Sequence, residues 1–337
     1  MKLLKEGKAK FYASTGDVSA GMDVFYNPVM KLNRDISVWL IKKLKPKRIC
    51  CAMAASGVRA LRFALEAGAK NIVANDANKK AVKAMERSIK LNKLKITVKN
   101  MPVRKLLAKE KFDYIDIDPF GPPTPFIEAA VNALKKGGII ALTATDTSCL
   151  CGRYVKACER KYSARPLKCG FEKEIGLRIL ISKAQSIAAS QNKTLVPIFS
   201  HSTNHYMRTY LIHSKRKINK GYLLYCPKCL NRKTSKTKKG RCCNRQMLYA
   251  GPLWLGRLWD KGLIGSGLIP YITEESKIKK VGFYDTHMLA KIYKKDAVRV
   301  DTFVEKLKKK GFLASRTHIK PEGVKTDAEI KDVTSFL

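Results

Sequence analysis

Short apolar runs alternate with helix-like segments from residue 47 to residue 213. Seven of these runs have strand length and predict strands at residues 48–53, 71–75, 96–99, 114–118, 139–143, 195–199 and 208–213. Helices are predicted between them, at residues 58–67, 78–92, 125–134 and 174–189. This alternation is typical of a parallel sheet covered by helices, and the last two strands predict an antiparallel hairpin at one edge. We therefore predict a doubly wound, seven-stranded α/β sheet, which binds nucleotide-type ligands at the carboxyl ends of its strands.

The composition of the chain changes after His213. Residues 215–245 contain twelve Lys or Arg, no Asp or Glu, and four of the ten cysteines. We therefore predict a domain boundary near Ser214, with one domain at 1–214 and a basic, mixed α/β domain at 215–337. In the second domain we expect a helix at 300–310 and a capping box at 326–329 that opens a last short helix.

The net charge of the chain indicates the kind of partner that it binds. The chain carries 68 Lys and Arg against 27 Asp and Glu, a formal net charge of +41. The excess positive charges repel one another, and a bound polyanion relieves this repulsion. Binding is favourable because Lys and Arg displace the counterions of the polyanion's phosphates. A lysine-rich surface adapted to heat would explain the lysines but not the shortage of acids. Nucleic acid is therefore the expected partner.

No membrane association is expected, because the sequence has no long apolar span and no amphipathic basic helix. The first residues do not resemble a secretory signal, and the unevenly spaced cysteines do not resemble a disulfide framework. We therefore expect a cytoplasmic protein. Nothing in the sequence points to a protein partner.

Small residues follow the first predicted strand, in the run Ala-Ala-Ser-Gly-Val-Arg at 54–59. A ligand can approach the backbone of Ser56 and Gly57 closely, and the next helix offers free N–H groups. Asp76 ends the second strand, at the spacing of a carboxylate that binds ribose hydroxyls. By itself the pattern also fits a plain α/β sheet with a tight turn and an exposed acid.

The run Asp118-Pro119-Phe120-Gly121 follows an apolar strand directly. An acid at the carboxyl end of a central strand points into the ligand cleft, and Phe120 adds a flat apolar face. This pair suits methylation of an exocyclic base amine, whose lone pair is delocalised into the ring. A carboxylate accepts the N–H hydrogen bond and removes the proton, while the aromatic face holds an unstacked base. The alternative is an ordinary Asp-Pro turn after a strand.

A polar and aromatic segment precedes the first strand. It comprises the run at 23–28, which contains Phe25, and the run at 33–35, which contains Arg34. The segment is able to cover the cleft, with Phe25 stacking on a ligand and Arg34 binding a carboxylate. It also fits an ordinary helix entry with a solvated arginine.

Several runs together resemble the tRNA (guanine-26-N2) dimethyltransferase family. They lie at residues 25–28, 33–35, 54–59, 118–121, 144–147, 156–158, 160–167, 176–178 and 251–254. The resemblance implies a class I methyltransferase domain, Rossmann-like in topology, with a smaller C-terminal domain. It also implies that S-adenosylmethionine is the methyl donor and tRNA the substrate. Guanine-26 would become N2-methylguanine and then N2,N2-dimethylguanine.

The resemblance also implies roles for single residues. Asp118 would be the catalytic acceptor. Phe25 and Phe120 would sandwich the guanine, next to Pro119. The cofactor would contact a further set of residues: Arg34 and Arg59 at its methionine end, Asp76 at its ribose, Ser56 and Gly57 in the loop after the first strand, and Pro102 and Val103 near its adenine.

Two positions depart from the family's pattern. Cys51 stands where the family has an acid at the end of the first strand. Pro102-Val103 stands where the family has an Asp-Ala pair near the adenine. Because Pro102 cannot accept a side-chain hydrogen bond from the adenine amine, adenine recognition must differ here.

Four cysteines are close enough in sequence to bind one metal ion. Cys226-Pro-Lys-Cys229 is a knuckle, and Cys242-Cys243 follows after twelve residues. Four thiolates bind Zn²⁺ tetrahedrally, and the metal would order a segment at 222–247 that is too polar to fold alone. The second pair is adjacent rather than spaced, so whether both of its members bind is open. The alternatives are four ordinary reduced cysteines or a redox pair.

Two other functions fit part of the pattern. One is an adenine-N6 or cytosine-N4 nucleic-acid methyltransferase, which uses a related Asp-Pro turn. The other is a zinc-ribbon RNA-binding protein with an inactive methyltransferase domain, which the departures at Cys51 and Pro102 keep open.

Overall fold

The computed structural model describes the chain except residues 18, 20, 204, 265 and 266. An antiparallel hairpin opens the fold and is formed by β1 (Lys2–Glu6) and β2 (Ala9–Ala13). The apolar pattern did not predict this hairpin, because its strands are short and carry many lysines. A 3₁₀ turn at Pro28–Met30, capped by the side chain of Asn27, then leads into the first helix.

Within the described residues, seven strands form the main sheet. They are β3 (Ile49–Cys51), β4 (Ile72–Asn75), β5 (Thr97–Lys99), β6 (Phe112–Ile117), β7 (Leu134–Ala144), β8 (Leu195–Thr203) and β9 (Tyr206–His213). Their order is β5-β4-β3-β6-β7-β9-β8, and β3 to β7 pair in parallel. This confirms the predicted doubly wound, seven-stranded sheet.

Helices predicted at residues 58–67, 78–92, 125–134 and 174–189 begin and end close to those residues in the structure. Eight α-helices occur among the described residues up to position 189. They are α1 (Lys31–Leu44), α2 (Val58–Ala67), α3 (Lys79–Leu91), α4 (Val103–Lys109), α5 (Thr124–Ala133), α6 (Thr147–Leu150), α7 (Val155–Tyr162) and α8 (Glu172–Ala189). Asn78 caps α3 as expected, because its side chain accepts a hydrogen bond from the Lys80 amide. Glycines in the left-handed region flank α2 at both ends.

The rest of the chain forms three small sheets, four short α-helices and one 3₁₀ turn (Lys261–Leu263) among the described residues. The strands are β10 (Lys220–Tyr225), β11 (Arg232–Ser235), β12 (Arg241–Cys242), β13 (Arg245–Gln246), β14 (Leu248–Trp254), β15 (Tyr284–Asp285), β16 (Ala314–Arg316) and β17 (Gly323–Thr326). The helices are α9 (Ile272–Glu275), α10 (Thr286–Tyr293), α11 (Val300–Lys309) and α12 (Ile330–Thr334).

The capping box predicted at 326–329 is wrong by three residues. Thr326 ends β17, and the cap of the last helix is Glu329, which exchanges hydrogen bonds with Asp332. An acid in the cap position replaces the expected threonine because its carboxylate accepts the same backbone N–H.

The chain divides into two compact units. The first comprises Met1–Thr143, Ile187–Lys193 and Tyr210–Lys215, and the second comprises Ala144–Ser186, Thr194–Thr209 and Arg216–Leu337. The domain boundary near Ser214 stays a prediction. Among the described helices, none combines the length and the apolar composition that a bilayer crossing requires.

A buried ion cluster fixes the second unit. The Glu174 carboxylate in α8 is fully buried and accepts hydrogen bonds from Lys325 Nζ at 2.7 Å, Arg178 Nε at 2.9 Å and the Gly282 amide at 2.9 Å. Burial alone would raise the pKa of Glu174, but the charges of Lys325 and Arg178 outweigh it and hold the pKa at about 2. The cluster thereby ties α8 to β17.

Candidate active site and metal centre

The carboxyl ends of β3, β4 and β5 are joined by one buried amide. Asn75, the last residue of β4, donates from Nδ2 to the carbonyl oxygens of Ala52 and Met101, both at 3.0 Å. Its Oδ1 accepts from the Met101 amide at 3.3 Å. The side chain therefore sets the spacing of the three loops that follow these strands. Sequence reasoning missed this residue, although a polar side chain inside an apolar strand is a signal for such a role.

Asp76 organises the loop that was predicted to meet the cofactor. Its Oδ2 accepts from the Ala55 amide at 2.8 Å, and its Oδ1 accepts from the Asn78 amide at 2.9 Å. The carboxylate thus joins the small-residue loop to the start of α3. Gly57 adopts a left-handed φ of 75°, and a Cβ there would lie 2.6 Å from Met85 Cγ, so the position requires glycine.

Pro102 and Val103 lie where β5 leads into α4. Pro102 occupies the residue before the helix, and Val103 is buried at its first turn. Neither side chain has a polar atom. The third strand end therefore offers an apolar surface instead of the carboxylate that the family pattern has there.

Arg59 is the centre of a buried polar network in α2. Its guanidinium donates to Asn33 Oδ1 at 3.0 Å and to Ser37 Oγ at 2.7 Å, and it pairs with Asp116 at 3.4 Å and with Asp118 Oδ2. The Arg59 side chain is 8% exposed, whereas that of Asp118 is 20% exposed. The arginine therefore fixes one oxygen of Asp118 and leaves the carboxylate open to a ligand.

Arg34 is engaged away from Asp118. Its guanidinium forms two hydrogen bonds with Glu6, at 2.8 and 2.5 Å, and one with the Asn27 carbonyl at 2.9 Å. Burial would raise the pKa of Glu6, but Arg34 and Arg62 hold it at about 2. Tyr26 donates to the same carboxylate, and burial together with this bond raises the pKa of Tyr26 to about 12. The structure brings Arg59 to Asp118 and Arg34 to Glu6, a separation that the sequence did not indicate.

Phe25 and Phe120, which were predicted to hold a base between them, touch each other. Their ring centroids are 4.5 Å apart at an angle of 79°, an edge-to-face contact. A base stacked between two rings needs about 7 Å, twice an optimal carbon–carbon separation. Phe120 is 54% exposed and follows Pro119 in the loop after β6, so its ring has room to turn outward.

Asp146 and Tyr162 belong to two of the runs that carry the family resemblance, and they meet in the second unit. Tyr162 OH donates to Asp146 Oδ1 at 2.6 Å, and Lys161 Nζ lies 3.4 Å from Oδ2. Burial, followed by the Asp146 carboxylate, raises the pKa of Tyr162 well above its usual range. The contact secures α7 against the start of α6.

The four cysteines of the basic segment converge in the second unit. The sulfur atoms of Cys226, Cys229, Cys242 and Cys243 all lie within 4.8 Å of one another. Four thiolates bound to Zn²⁺ at about 2.3 Å would be about 3.8 Å apart. The pairs at 3.5 Å (Cys229–Cys242) and 3.9 Å (Cys242–Cys243) match that spacing, so the donor set fits a zinc ion.

A tight turn explains how adjacent cysteines join one site. Cys242 pairs with Arg245 across a hairpin whose loop is Cys243-Asn244, and both loop residues have positive φ, at 49° and 59°. Two left-handed residues in a two-residue loop are typical of a type I′ turn. Neighbouring side chains on an extended strand point to opposite sides, and the turn removes that restriction. All four sulfur atoms are therefore placed together.

The comparison with known proteins identifies the family. The family model described as "N2,N2-dimethylguanosine tRNA methyltransferase" matches residues 4–337. The chain belongs to this family. This confirms the tRNA guanine-N2 methyltransferase predicted from the sequence and removes the adenine-N6, cytosine-N4 and non-enzymatic alternatives.

Relatives in the N2,N2-dimethylguanosine tRNA methyltransferase family match over nearly their whole length. The chain is 36% identical to tRNA (guanine(26)-N(2)/guanine(27)-N(2))-dimethyltransferase of Aquifex aeolicus, covering 99% of this chain and 95% of the relative. It is 37% identical to tRNA (guanine(26)-N(2))-dimethyltransferase of Methanococcus maripaludis, covering 100% and 98%. The structure of Trm1 from Pyrococcus horikoshii with S-adenosyl-L-methionine has a TM-score of 0.87 and 30% identity, covering 100% of this chain and 99% of that one.

Proposed function

We propose that this chain methylates N2 of guanine-26 in tRNA with S-adenosylmethionine, and that Asp118 accepts the amine proton. The observation that carries the proposal is the Asp118 carboxylate, which stands at the end of β6 with one oxygen fixed by Arg59 and the side chain partly exposed. A carboxylate held in this way is ready to accept a hydrogen bond from an exocyclic amine.

The residues around the strand ends fit the cofactor. Asp76 is partly exposed at the end of β4, and each of its oxygens has a second lone pair for a ribose hydroxyl beyond its one backbone hydrogen bond. The Nδ2 donor of Asn33 is buried and has no partner among the described residues. A buried amide donor without a partner costs about 1–3 kcal/mol, and a ligand acceptor would remove that cost.

The cofactor supplies an activated methyl group, so the protein has to supply position and a proton acceptor. Asp118 accepts a hydrogen bond from guanine N2–H and takes the proton as positive charge develops on the nitrogen. Arg59 keeps the carboxylate pointing at the amine, and Asn33 and Ser37 keep Arg59 in place. Arg34 acts indirectly, by holding the segment that carries Phe25 through Glu6 and the Asn27 carbonyl.

The base would be held by the two phenylalanines. A guanine in a stacked tRNA core has to be extruded before N2 can reach a cleft, at a cost of a few kcal/mol. The entering base replaces the Phe25–Phe120 contact, which requires Phe120 to turn outward. Stacking contributes about 1–3 kcal/mol for each base on an aromatic side chain and offsets part of the extrusion cost. Pro119 limits the directions in which the Phe120 loop can move.

The basic segment at 215–245 would bind the tRNA phosphates, and zinc would order it. Cys226 of the four-cysteine cluster belongs to a small core with Leu224 and Met247, and Cys229 and Cys242 pack against that core. So small a core gives limited stability by hydrophobic burial, and a structural zinc ion contributes folding free energy directly.

The decisive experiment incubates the protein with a tRNA transcript and S-adenosylmethionine and then identifies the modified nucleoside by mass spectrometry. We expect N2-methylguanine followed by N2,N2-dimethylguanine at position 26, and none in a matched transcript with adenine-26. Methylation of the adenine-26 transcript to the same extent would show that another nucleotide is the target.

A further inference from the structure

The N-terminal hairpin has two chemically different faces. Strand alternation and the pairing of β1 with β2 place Glu6, Ala9 and Phe11 on the inner face, where all three are buried. The opposite, outer face carries Leu3, Lys5, Lys10 and Tyr12. Leu3 is 51% exposed, and both lysines are exposed.

Two lysines face each other on the outer face. Lys5 pairs directly with Lys10 in the hairpin register. Like charges directly opposite each other destabilise a strand pair. Neither lysine forms an ion pair with any of the described residues, so nothing in the described part of the fold relieves this repulsion. An anionic partner on the outer face would relieve it.

The same surface continues onto α3. The Arg87 guanidinium lies 3.8 Å from the ring centroid of Tyr12, a cation–π contact. The Tyr12 amide donates to Ser88 Oγ at 3.0 Å, and the Lys10 amide donates to Asn92 Oδ1 at 3.1 Å. These bonds fix β2 to α3, so Arg87 lies against the outer face of the hairpin at Tyr12.

Three acids near the hairpin form ion pairs with arginines of the first unit. Glu6 pairs with Arg34 and Arg62, and Asp35 and Glu66 pair with Arg62 as well. Asp35 also pairs with Lys31, but none of these carboxylates pairs with Lys5 or Lys10. The positive charge of the outer face remains available to a partner.

The hairpin is also tied to the segment that carries Phe25. Glu6 accepts from Tyr26 OH at 2.9 Å, and Ser14 and Val24 exchange two hydrogen bonds, from the Ser14 amide at 2.9 Å and from the Val24 amide at 3.1 Å. Residues on either side of Phe25 are thus fixed to Glu6 in β1 and to Ser14, the residue after β2. A tRNA that places a base against Phe25 brings its own backbone close to the hairpin.

We propose that Lys5, Lys10 and Arg87 form a phosphate-binding surface for tRNA on the first unit, separate from the basic segment at 215–245. The inference rests on the proposed function, because it takes tRNA as the partner. Each lysine binds a phosphate as a point charge, and Arg87, held against the Tyr12 ring, directs its N–H groups at a phosphate oxygen. The surface positions the backbone near the cleft and reads no sequence.

The test compares two double variants of equal charge change. K5Q/K10Q removes the facing lysines. K105Q/K109Q removes an exposed pair from α4, for which the described residues provide no ion pair. From β3 to β5 each new strand is added on one side of the sheet, and β6 is added on the other side of β3. Because the crossovers are right-handed, α4 lies on the face of the sheet opposite α2 and α3. Dissociation constants for one tRNA transcript are measured by fluorescence anisotropy at several salt concentrations.

We expect K5Q/K10Q to bind tRNA about tenfold more weakly and to lower the slope of log affinity against log salt by about 2, one for each lost phosphate contact. The control should change affinity less than about twofold. The melting temperature of K5Q/K10Q should equal or exceed that of the wild type, because the like-charge pair is removed. Equal effects of the two double variants, or weaker binding that accompanies a lower melting temperature, would overturn the proposal.

The wild-type protein separates this proposal from the proposed function. If the wild type methylates the transcript while K5Q/K10Q binds tRNA like the control, only the phosphate surface is wrong. If the wild type binds tRNA through the hairpin lysines but transfers no methyl group to guanine-26, the proposed function is wrong and the surface stands.

Discussion

Both units bury charge, but they bury it differently. In the second unit Glu174 is fully enclosed by Lys325 and Arg178, and the cluster has no exposed carboxylate. In the first unit Arg59 is buried in the same way, yet its partner Asp118 is 20% exposed. The cluster of the first unit has one arginine and two carboxylates, whereas that of the second unit has one carboxylate, one arginine and one lysine. The difference in exposure is the basis of two predictions: the first cluster takes part in the proposed reaction, and the second stabilises the fold.

The largest effect is expected at the cluster of Arg59, Asp116 and Asp118, called the open cluster because Asp118 is partly exposed. D118N keeps the shape of the side chain and an oxygen for Arg59 but removes the negative charge. We expect the methylation rate to fall by roughly 10²–10⁴-fold, as for a lost general base, with much less change in cofactor affinity. Single-turnover rates and calorimetric binding of S-adenosylmethionine provide the measurement. A rate within threefold of the wild type would exclude Asp118 as the acceptor.

Substitution in the closed cluster, formed by Glu174, Arg178 and Lys325, should lower the free energy of unfolding. E174Q leaves Lys325 and Arg178 buried without a countercharge, which typically costs about 3–5 kcal/mol. Urea unfolding followed by fluorescence measures this loss. E172Q is the matched control, because it changes an acid of the same helix that has no buried ion pair among the described residues. An equally small loss in both variants would show that the buried cluster does not stabilise the fold.

The same pair of variants gives a pH test. The pKa of Glu174 is lowered in the folded protein to about 2, so the group stabilises the fold above its unfolded pKa near 4.5. That stability is lost as pH falls from 4.5 towards 2. The free energy of unfolding should therefore change less with pH in E174Q than in the wild type over this range. If the unfolding free energies of E174Q and the wild type change equally with pH, groups other than Glu174 cause the loss of stability in acid.

A smaller effect is expected beside the open cluster. F120A removes a side chain that is 54% exposed and contacts Phe25. We expect turnover to fall by roughly 10–100-fold, the equivalent of about 1.4–2.8 kcal/mol of lost stacking, with little change in melting temperature or tRNA affinity. A large drop in melting temperature with a normal single-turnover rate would instead make Phe120 a packing residue.

The smallest effect on the reaction is expected at the cysteines. C226S should release the metal and weaken tRNA binding by about tenfold or less, because other phosphate contacts remain. Elemental analysis measures the metal, and C169S provides a control with a buried cysteine outside the cluster. If elemental analysis finds no zinc in the purified wild-type protein, the metal proposal is wrong.

The sequence predicted the framework well where local chemistry decides it. Asn78 caps α3 through its own side chain, and glycines flank α2, so both helices could be placed from a few residues. Contacts between distant residues were not predictable in this way. Arg34 and Glu6 are 28 positions apart, and the pairing depends on a lysine-rich hairpin whose strands showed no clear apolar pattern.

Part of the candidate site was also out of reach of the sequence. The adjacent cysteines looked irregular because the pattern does not reveal that Cys243 adopts a left-handed φ. Arg59 could be placed near the cofactor by resemblance, but its bond to Asp118 depends on how α2 lies against the end of β6. Such geometry follows from tertiary packing and not from any local signal.

The Asp118–Arg59 pair limits how this protein can change over evolutionary time. A descendant that loses Asp118 removes the nearer of the two carboxylates that the described residues provide for the buried guanidinium and keeps the more distant Asp116. A viable route to inactivity would replace both residues together or keep both and lose activity elsewhere. The presence of an acid next to this arginine in a distant relative is therefore a sign of a preserved fold before it is a sign of catalysis.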